Sequence, residues 1–375
     1  MNEGKIRVLH VIRHMNTGGA ETLIMNLYRN VDREKIQFDF LVFGDGIFDK
    51  EINQLGGKIY YMKYLTEIGQ IKFKKNLIEF FKTHREYKIV HSHIDQVSGI
   101  ILEAAKKAEV PVRISHSHST GNSNNCIAKI YKKILQTKIN KNANVFFACS
   151  ENAAKWLFKK MNYKAYIINN GIDTEKFAFS EENRKQIREE FNIKDGTEVI
   201  GHVGSLIPVK NHKFILEVFE EYIKMRPNTV LMLVGNGRLK EKLKQDAKNL
   251  NIEKNIFFTG IRSDVQKFYS AFDMFIFPSL YEGISTALIE AQTNGLTIFA
   301  SSAVDSKTDI TNTINFIDLK DSAENWAKKI ERTDIKRYNN IEKIKENGFD
   351  IKEIARNLEK KYYDLYYRKE EYGKE

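Results

Sequence analysis

Short apolar runs alternate with amphipathic segments along the whole chain. The apolar runs are rich in Val, Ile, Leu and Phe and predict buried strands. Apolar residues at helical spacing between them predict helices, among them 20–28 and 73–82. In the first half the predicted strands are 7–12, 38–43, 59–62, 89–91, 112–115, 145–148 and 166–168. In the second half they are 199–203, 230–234, 256–258, 274–277, 297–300 and 314–317.

This alternation predicts an α/β fold with parallel sheets that are covered by helices on both faces. The pattern occurs twice, and 375 residues suit two domains. We expect two doubly wound, Rossmann-like domains at 1–178 and 179–350, and a closing C-terminal helix within 351–375. Ligands of such sheets bind beyond the carboxyl ends of the strands, so a site is expected in the cleft between the domains.

The net charge of +11 lies entirely in the first half of the chain. Residues 1–178 carry 28 Lys and Arg against 17 Asp and Glu, whereas residues 179–375 carry 32 of each class. Such an excess favours a polyanion or an anionic membrane surface as a partner, and the alternative is a solvated Lys-rich surface. The basic half lacks the aromatic–basic interleaving of known nucleic-acid modules, so no nucleic-acid partner is predicted.

The ends and the cysteines favour a cytoplasmic protein. The apolar run near the N-terminus is interrupted by Arg7 and His10, unlike that of a signal peptide. No run approaches the ~18 apolar residues that cross a bilayer. Cys126 and Cys149 lack the spacing of a metal or redox motif and suit a reducing compartment.

The most specific motif spans residues 277–291. A predicted strand ends at Pro278, and a helix is expected to begin near Ser285 or Thr286. The unpaired N–H groups and the dipole of such a helix start suit a diphosphate. Glu282 precedes this helix and Glu290 lies about two turns later, a reach of ~12 Å. One carboxylate can then meet sugar hydroxyls while the other meets a ribose.

Two further loops contain glycine at predicted strand ends. Gly204 follows the first strand of the second half, and Lys210 can place a cation on a leaving diphosphate, where charge develops during sugar transfer. Gly18 and Gly19 follow the first strand of the chain, in a loop that is not the G-x-G-x-x-G of dinucleotide-binding proteins. Arg262 follows another predicted strand, and we expect it near the nucleotide base.

Four histidines follow two predicted strands, as the pairs His91/His93 and His116/His118. We expect the two rings of each pair to point to opposite faces of the strand, which disfavours chelation, and no metal site is predicted. The alternatives are histidines that line the core or the cleft and a histidine that contacts substrate.

The motif at 277–291 resembles the signature of the retaining glycosyltransferases of family four, which have the GT-B fold. The resemblance to this family covers nearly the whole chain. The stretches 148–158 and 168–173 also resemble the branch of the family that makes bacterial capsular polysaccharide and exopolysaccharide. The resemblance implies that Glu282 contacts the donor sugar and Glu290 the nucleotide ribose. It also implies that a histidine donates to the sugar, either His116 or His118. The other donor-binding residues that we expect are Gly18, Gly19, Gly204, Ser205, Lys210, Arg262, Gly283, Ile284 and Ser285.

The resemblance predicts a retaining, metal-independent hexosyltransferase that uses a nucleotide sugar, most simply UDP-linked, as its donor substrate and needs no cofactor. The acceptor would be a glycan or a lipid-linked glycan of a bacterial surface polysaccharide. Ser205 stands where the family usually has Arg, and Ser285 where relatives tend to have Pro. These departures favour one alternative, a catalytically degenerate subunit that supports a partner transferase. A second alternative is another GT-B enzyme, such as a sugar-nucleotide epimerase.

The segment 127–139 has the pattern of a basic amphipathic helix. Its apolar residues recur at helical spacing, and its basic residues are Lys129, Lys132, Lys133 and Lys138. This pattern is typical of a helix that lies on an anionic membrane. We therefore expect a membrane or acceptor face here and peripheral association with the inner face of the membrane. The alternative is a surface helix whose apolar side packs on the core.

Overall fold

The structure is a computed structural model that describes residues 5–16, 18–118 and 126–367, without the side chains of residues 126–130 and 132. The chain forms two compact units. Unit 1 consists of Met1–Gly171 and Ile351–Glu375, and unit 2 of Ile172–Asp350. The boundary between the units lies after Gly171, seven residues before the boundary expected after residue 178 and within the stretch 168–173. The expected domain bounds stay a prediction.

Unit 1 is built on one parallel sheet of seven strands. Its strands are β1 Ile6–Val11, β2 Ile36–Val42, β3 Ile59–Tyr61, β4 Ile89–Ser92, β5 Val112–Ser117, β6 Val145–Ala148 and β7 Ala165–Ile167. Its helices are α1 Gly19–Asn30, α2 Asp49–Gln54, α3 Leu65–Ile68, α4 Gln70–Thr83, α5 Ser98–Lys107, α6 Cys126–Asn142, α7 Glu151–Phe158 and α15 Ile351–Tyr367. The strand order is β3-β2-β1-β4-β5-β6-β7, so the order reverses between β1 and β4.

Unit 2 repeats this architecture with six parallel strands. They are β8 Glu198–Val203, β9 Thr229–Val234, β10 Ile256–Gly260, β11 Met274–Phe277, β12 Thr297–Ser301 and β13 Ile314–Ile317. The helices are α8 Glu181–Glu190, α9 His212–Met225, α10 Lys240–Asn249, α11 Val265–Ala271, α12 Thr286–Thr293, α13 Ala323–Arg332 and α14 Ile341–Glu346. The order β10-β9-β8-β11-β12-β13 reverses between β8 and β11.

Both sheets are buried because their strands carry apolar side chains on both faces. All seven residues of β2 and all four of β11 are buried, as expected for a parallel sheet between two helical layers. The C-terminal helix α15 belongs to unit 1, where its apolar stripe of Ile351, Leu358 and Leu365 packs in the same core as α1 and β1. The predicted fold of two doubly wound domains and the predicted strands are confirmed.

The strand ends differ from the prediction in a way that concerns the histidines. β4 runs through Ser92 and β5 through Ser117, so His91 lies within β4, as the predicted strand 89–91 has it, and His116 lies within β5 instead of after it. Both strands are extended by pairing with their neighbours, since His91 pairs in register with His10 of β1 and His116 with Phe147 of β6. The polar side chains therefore belong to the last residues of the sheet itself.

Candidate functional site

Two residues that the sequence assigns to separate motifs form an ion pair in unit 2. The ammonium of Lys210 lies 2.7 Å from Oε1 of Glu282, and both side chains are largely buried, with 15% and 21% of their surface exposed. Lys210 Nζ also lies 4.6 Å from the centroid of the Phe277 ring, within the range of a cation–π contact. An anion could thus replace Glu282 as the partner of Lys210, and a hydrogen-bond donor could replace Lys210 as the partner of Glu282.

Neighbouring strands bring this pair together. Lys210 follows β8 and Glu282 follows β11, and these strands lie side by side at the point where the strand order reverses. Their loops are joined where Leu280 N donates to Val209 O at 2.8 Å and Asn211 Nδ2 donates to Pro278 O at 3.2 Å. The carboxyl edge at such a reversal is the usual ligand site of a doubly wound sheet.

The glycine loop after β8 approaches another loop very closely. A Cβ on Gly235, whose φ is +140°, would lie 2.1 Å from the carbonyl oxygen of Gly204. Gly204 itself is held by its N–H, which donates to Val234 O at 3.0 Å. A side chain at 235 would push this loop out of place, so the backbone beside Lys210 depends on glycine. Ser205, where the family usually has Arg, is exposed.

The second half of the main motif begins helix α12, as predicted. Ser285 is the N-cap residue and α12 starts at Thr286. The loop before it is fixed by Asp305 N, which donates to Glu282 O at 3.0 Å, and by the Thr308 hydroxyl, which donates to Gly283 O at 3.3 Å. Gly283 is exposed and Ile284 partly buried. The free N–H groups of this helix start lie directly after Glu282 in the chain.

Glu290 lies in the last turn of α12, in a partly buried position. The hydroxyl of Tyr269 donates to Glu290 Oε2 at 2.7 Å. Burial raises the pKa of the Glu290 carboxyl to about 7, although the Tyr269 hydrogen bond and the charge of Lys176 oppose the shift. The carboxyl is therefore poised between its two protonation states near neutral pH, where a bound hydroxyl can change the balance.

Arg262 is engaged by two acids within unit 2. Its guanidinium makes two hydrogen bonds to Glu190, at 2.7 and 3.0 Å, and two to Asp264, at 2.9 and 3.0 Å. These hydrogen bonds raise the pKa of Arg262 above its ordinary value. Four of its donors are thus used inside the protein, and the predicted role of Arg262 at the nucleotide base stays a prediction.

In unit 1 the predicted glycine loop precedes helix α1. Gly18 is the N-cap residue of α1 and Gly19 its first residue, and both are exposed. A Cβ on Gly19 would meet nothing within 4 Å, so the space over this helix start is open. A ligand can approach the backbone there, and phosphate binding by this loop stays a prediction.

The carboxyl edge of the unit 1 sheet carries five histidines in contact with one another. His10 of β1, which the sequence interpretation left without a role, joins the four predicted ones. His10 Nδ1 lies 2.9 Å from His93 Nε2, and His93 Nδ1 lies 2.8 Å from His118 Nε2. His91 Nε2 lies 3.1 Å from His116 Nδ1. The cluster sits where the strand order reverses between β1 and β4.

The expectation that the two histidines of each pair point to opposite faces is wrong. Residues two apart on a strand share a face. The ring centroids of His91 and His93 are 4.1 Å apart, and those of His116 and His118 are 3.9 Å apart.

The geometry of the strands therefore allows the histidines to share a metal ion. The ligand atoms of His10, His91 and His93 all lie within 4.8 Å of one another, and the same holds for His93, His116 and His118. Zinc ligands in a tetrahedral site lie roughly 3.3 Å apart, so a metal would displace the hydrogen bonds of the cluster. That the protein holds no metal stays a prediction, which chelation tests.

The five rings are neutral in the folded protein. Burial lowers the pKa of His10 and of His118 to about 3, and it lowers the pKa of His91, His93 and His116 well below the ordinary value. The neighbouring rings lower the pKa values of His10, His91, His93 and His116 further, because a second positive charge in the cluster is unfavourable. Each neutral ring carries one N–H, so every hydrogen bond between two rings has a defined direction.

Tyr362 of helix α15 sets the direction of one chain of hydrogen bonds. Its hydroxyl lies 2.7 Å from His91 Nδ1, and His91 Nε2 contacts His116 Nδ1. If Tyr362 donates, His91 Nε2–H donates to His116, and one donor is left over, the Nε2–H of His116. In the reverse direction the buried Tyr362 hydroxyl lacks an acceptor among the described residues and His116 Nε2 lacks a donor.

The first direction is favoured because it leaves one buried polar group unsatisfied instead of two, and each such group costs about 1–3 kcal/mol. It gives His116 the tautomer with its proton on Nε2. That N–H is buried and has no hydrogen-bond partner among the described residues. Tyr362 thereby acts on His116 through His91.

Helix α6 combines core and surface contacts. Leu135 and Ile139 are buried in the core of unit 1, whereas Tyr131, Lys133 and Ile134 are exposed. Lys138 Nζ donates to Glu103 Oε2 at 2.9 Å. The side chains of Lys129 and Lys132 lie outside the described residues.

The sequence interpretation missed several contributors to these sites: His10, Tyr269, Phe277 and Tyr362. His10 could have been found from the predicted topology, because β1 and β4 are neighbours in a doubly wound sheet and His10 is in register with His91. Tyr362 could not have been found in this way, since its partner His91 lies far away in the sequence.

Two doubly wound domains, each with polar residues where its strand order reverses, form a GT-B fold. Residues 17–176 match the family described as Glycosyltransferase Family 4, and residues 183–350 match the family described as Glycosyl transferases group 1. The putative glycosyltransferase EpsF of Bacillus subtilis (strain 168) is 34% identical over 340 residues, which cover 88% of this chain and 88% of EpsF. The chain therefore belongs to the family 4 glycosyltransferases.

Other relatives agree with this family. The capsular polysaccharide biosynthesis glycosyltransferase CapH of Staphylococcus aureus is 28% identical over 371 residues, covering 95% of this chain and 98% of CapH. The crystal structure of Anabaena HepE in complex with UDP superposes with a TM-score of 0.79 at 18% identity, over 96% of this chain and 100% of HepE. Within the described part of the chain, no helix has the length and apolar character needed to span a membrane.

The tautomer of His116 gives a direct test of the hydrogen-bond chain. We expect ¹⁵N NMR of the histidine-labelled protein to show a proton on Nε2 of His116 and a bare Nδ1, because Tyr362 donates into the chain. Tyr362→Phe removes that donor, and the preference of His116 for the Nε2–H tautomer should then weaken. Tyr366→Phe, on the next turn of α15, is the matched control and should leave it unchanged. A wild-type His116 protonated on Nδ1 would contradict the assignment.

Proposed function

We propose that this glycosyltransferase moves a hexose or N-acetylhexosamine from a nucleoside diphosphate sugar, UDP-linked, to a hydroxyl of a surface-polysaccharide precursor. The observation that carries the proposal is the Lys210–Glu282 ion pair at the carboxyl edge of unit 2, beside the start of α12. A cation and free helix N–H groups suit the diphosphate of such a donor, and a carboxylate beside them suits its sugar hydroxyls.

The ion pair suggests how donor binding begins. A diphosphate competes with Glu282 for the ammonium of Lys210, and the released carboxylate becomes free to accept hydrogen bonds from sugar hydroxyls. Both side chains are largely buried, where an unpaired charge would be costly. After the exchange each charge again has a partner, the diphosphate for Lys210 and the sugar hydroxyls for Glu282. Glu290 is proposed to accept from the ribose hydroxyls, in the role that the family resemblance implies.

Transfer is proposed to proceed with retention and without a metal ion. The acceptor hydroxyl attacks C1 of the donor sugar on the face that the diphosphate leaves. The bond from C1 to the diphosphate oxygen breaks, and a phosphate oxygen takes the hydroxyl proton. Lys210 and the α12 start stabilise the charge that develops on the leaving group. The free Nε2–H of His116 is proposed to donate to the donor sugar, with His118 as the alternative.

Two named proteins support UDP as the nucleotide and a lipid-linked acceptor. An Escherichia coli enzyme named UDP-Gal:alpha-D-GlcNAc-diphosphoundecaprenol alpha-1,3-galactosyltransferase is 27% identical over 309 residues, covering 79% of each chain. Anabaena HepE has been crystallised with UDP-glucose, with a TM-score of 0.70 and 17% identity over 98% of each chain. A lipid-linked acceptor would also suit the positive charge of unit 1 and a location at the inner face of the membrane.

Lys210→Ala should reduce kcat by roughly a hundredfold to a thousandfold, the usual cost of removing one group that stabilises a developing charge. Lys213→Ala, in the first turn of α9, removes an exposed lysine and is the matched control. Turnover of UDP-sugars is measured with EDTA present, in which the wild type should keep full activity. Wild-type rates in Lys210→Ala would contradict the proposed donor site. A wild type that turns over no nucleotide sugar would favour the degenerate-subunit alternative.

The affinity for UDP should depend on pH through Glu290. A carboxylate accepts from the ribose diol better than a carboxylic acid, and the pKa of Glu290 in the folded protein is about 7. Affinity is therefore full above this pKa and falls as pH drops through it, by roughly tenfold between pH 8 and pH 6. Calorimetry on the wild type and on Glu290→Gln measures the effect, and the titration of UDP itself is common to both proteins. Identical pH profiles would exclude Glu290 from the ribose contact.

The membrane face of α6 makes a separate prediction. If Lys129, Lys132 and Lys133 bind anionic lipid, each can contribute about 1 kcal/mol, and the protein should float with anionic but not with neutral liposomes. High salt and the variant with all three lysines changed to Glu should both abolish flotation. Equal, negligible flotation with both kinds of liposome would show that α6 is an ordinary surface helix, in keeping with its buried Leu135 and Ile139.

A further inference from the structure

One cavity of unit 1 lies away from the histidine cluster. It has a volume of about 490 Å³, within the range of small-ligand sites. It opens at the amino-terminal ends of β5 and β6, where Arg113 and Val145 line it. His116 lies near the other end of β5, so the cavity is on the opposite edge of the sheet from the predicted sugar-contacting residues.

The lining of this cavity is strongly positive. Five of its fourteen described lining residues are basic, and none of the fourteen is Asp or Glu. The basic residues come from five parts of unit 1: Lys106 from α5, Arg113 from β5, Lys141 from α6, Lys164 from the segment before β7, and Lys361 from α15. Because they are far apart in sequence, the fold itself gathers these charges.

Backbone carbonyls at helix and loop ends compensate only part of this positive charge. Arg113 Nε donates to Asn142 O at 2.7 Å and Nη1 donates to Val110 O at 2.7 Å, while Lys106 Nζ donates to Lys141 O at 3.2 Å. These carbonyls lie at helix and loop ends, where a helix presents about half a negative charge. Within the described residues, Lys106, Arg113, Lys141 and Lys361 form no ion pair with Asp or Glu, so these four charges are only partly compensated.

Arg113 has donor capacity left for a ligand. It forms no ion pair within the described chain, and its Nη2 has no hydrogen bond there, although the side chain is partly buried. Burial without a carboxylate partner lowers the pKa of the guanidinium, the opposite of what happens at Arg262. An anion in the cavity would supply the missing partner.

We propose that the cavity lined by Lys106, Arg113, Lys141, Lys164 and Lys361 binds a phosphate-bearing anion. Guanidinium and ammonium groups converging on one cavity are the usual partners of phosphate oxygens. Tyr166, which also lines the cavity, adds a hydroxyl donor, and Lys361 Nζ lies 5.6 Å from the centroid of its ring. The anion is either the headgroup of an anionic phospholipid or a soluble phosphorylated molecule.

Calorimetric titration of the full chain with inorganic pyrophosphate at low ionic strength tests the site. The double variant Lys141→Gln/Lys361→Gln should bind pyrophosphate roughly a hundredfold more weakly, because each lost charge-assisted hydrogen bond is worth about tenfold. Lys50→Gln/Lys72→Gln removes the same charge from exposed positions of unit 1 outside the cavity and should bind as the wild type does. If the double variant has a lowered melting temperature, Lys361→Gln alone is used.

A third variant separates the cavity from the proposed donor site. Lys210→Ala should keep the cavity's pyrophosphate binding, because Lys210 lies in unit 2. The proposal is overturned if the wild type does not bind pyrophosphate, if Lys210→Ala alone abolishes binding, or if the cavity variant binds like the wild type.

Flotation with phosphatidylglycerol and phosphatidylcholine vesicles then identifies the source of the phosphate. For a lipid headgroup, the cavity variant loses the flotation with phosphatidylglycerol that the wild type shows. For a soluble phosphorylated molecule, the cavity variant loses pyrophosphate binding and floats as the wild type does.

Discussion

The parallel pairing of β8 with β11 is the constraint on which the candidate chemistry of unit 2 depends. In a parallel sheet all carboxyl ends lie at one edge, so the loops that follow two neighbouring strands start side by side, and a ligand crevice lies where the strand order reverses. Lys210 and Glu282 meet for this reason, although each follows a different strand. Glycine at position 235, with φ of +140°, lets the loop after β9 press against the loop that carries Lys210.

Unit 1 applies the same constraint to a different chemistry. Its reversal lies between β1 and β4, and there the sheet edge carries histidines in place of an ion pair. A charged group at this depth would need a counterion, whereas neutral imidazoles satisfy one another by hydrogen bonds. This arrangement explains why five histidines can share a buried edge, and why Tyr362 on the last helix influences a ring two hydrogen bonds away.

The alternation of strands and helices was sufficient to predict both sheets, because buried parallel strands are continuous apolar runs that stand out from amphipathic helices. The motif at 277–291 also predicted the strand, the break at Pro278 and the helix start near Ser285. The sequence could not show that Lys210 and Glu282 are paired, since that contact depends on which strands are neighbours. The histidine geometry was mistaken for a simpler reason, because residues two apart on a strand lie on the same face.

The distribution of charge distinguishes the two units more clearly than their folds do. In unit 2 two partly buried arginines, Arg184 and Arg188, share Asp273, and the net charge of residues 179–375 is zero. In unit 1 Arg113 is held by backbone carbonyls, which neutralise only a fraction of its charge. Like charges gathered without acids destabilise the folded state unless something binds them, so the positive charge of unit 1 is better explained by a ligand than by stability. The cavity at Arg113 is one place in unit 1 at which the described structure shows cations converging.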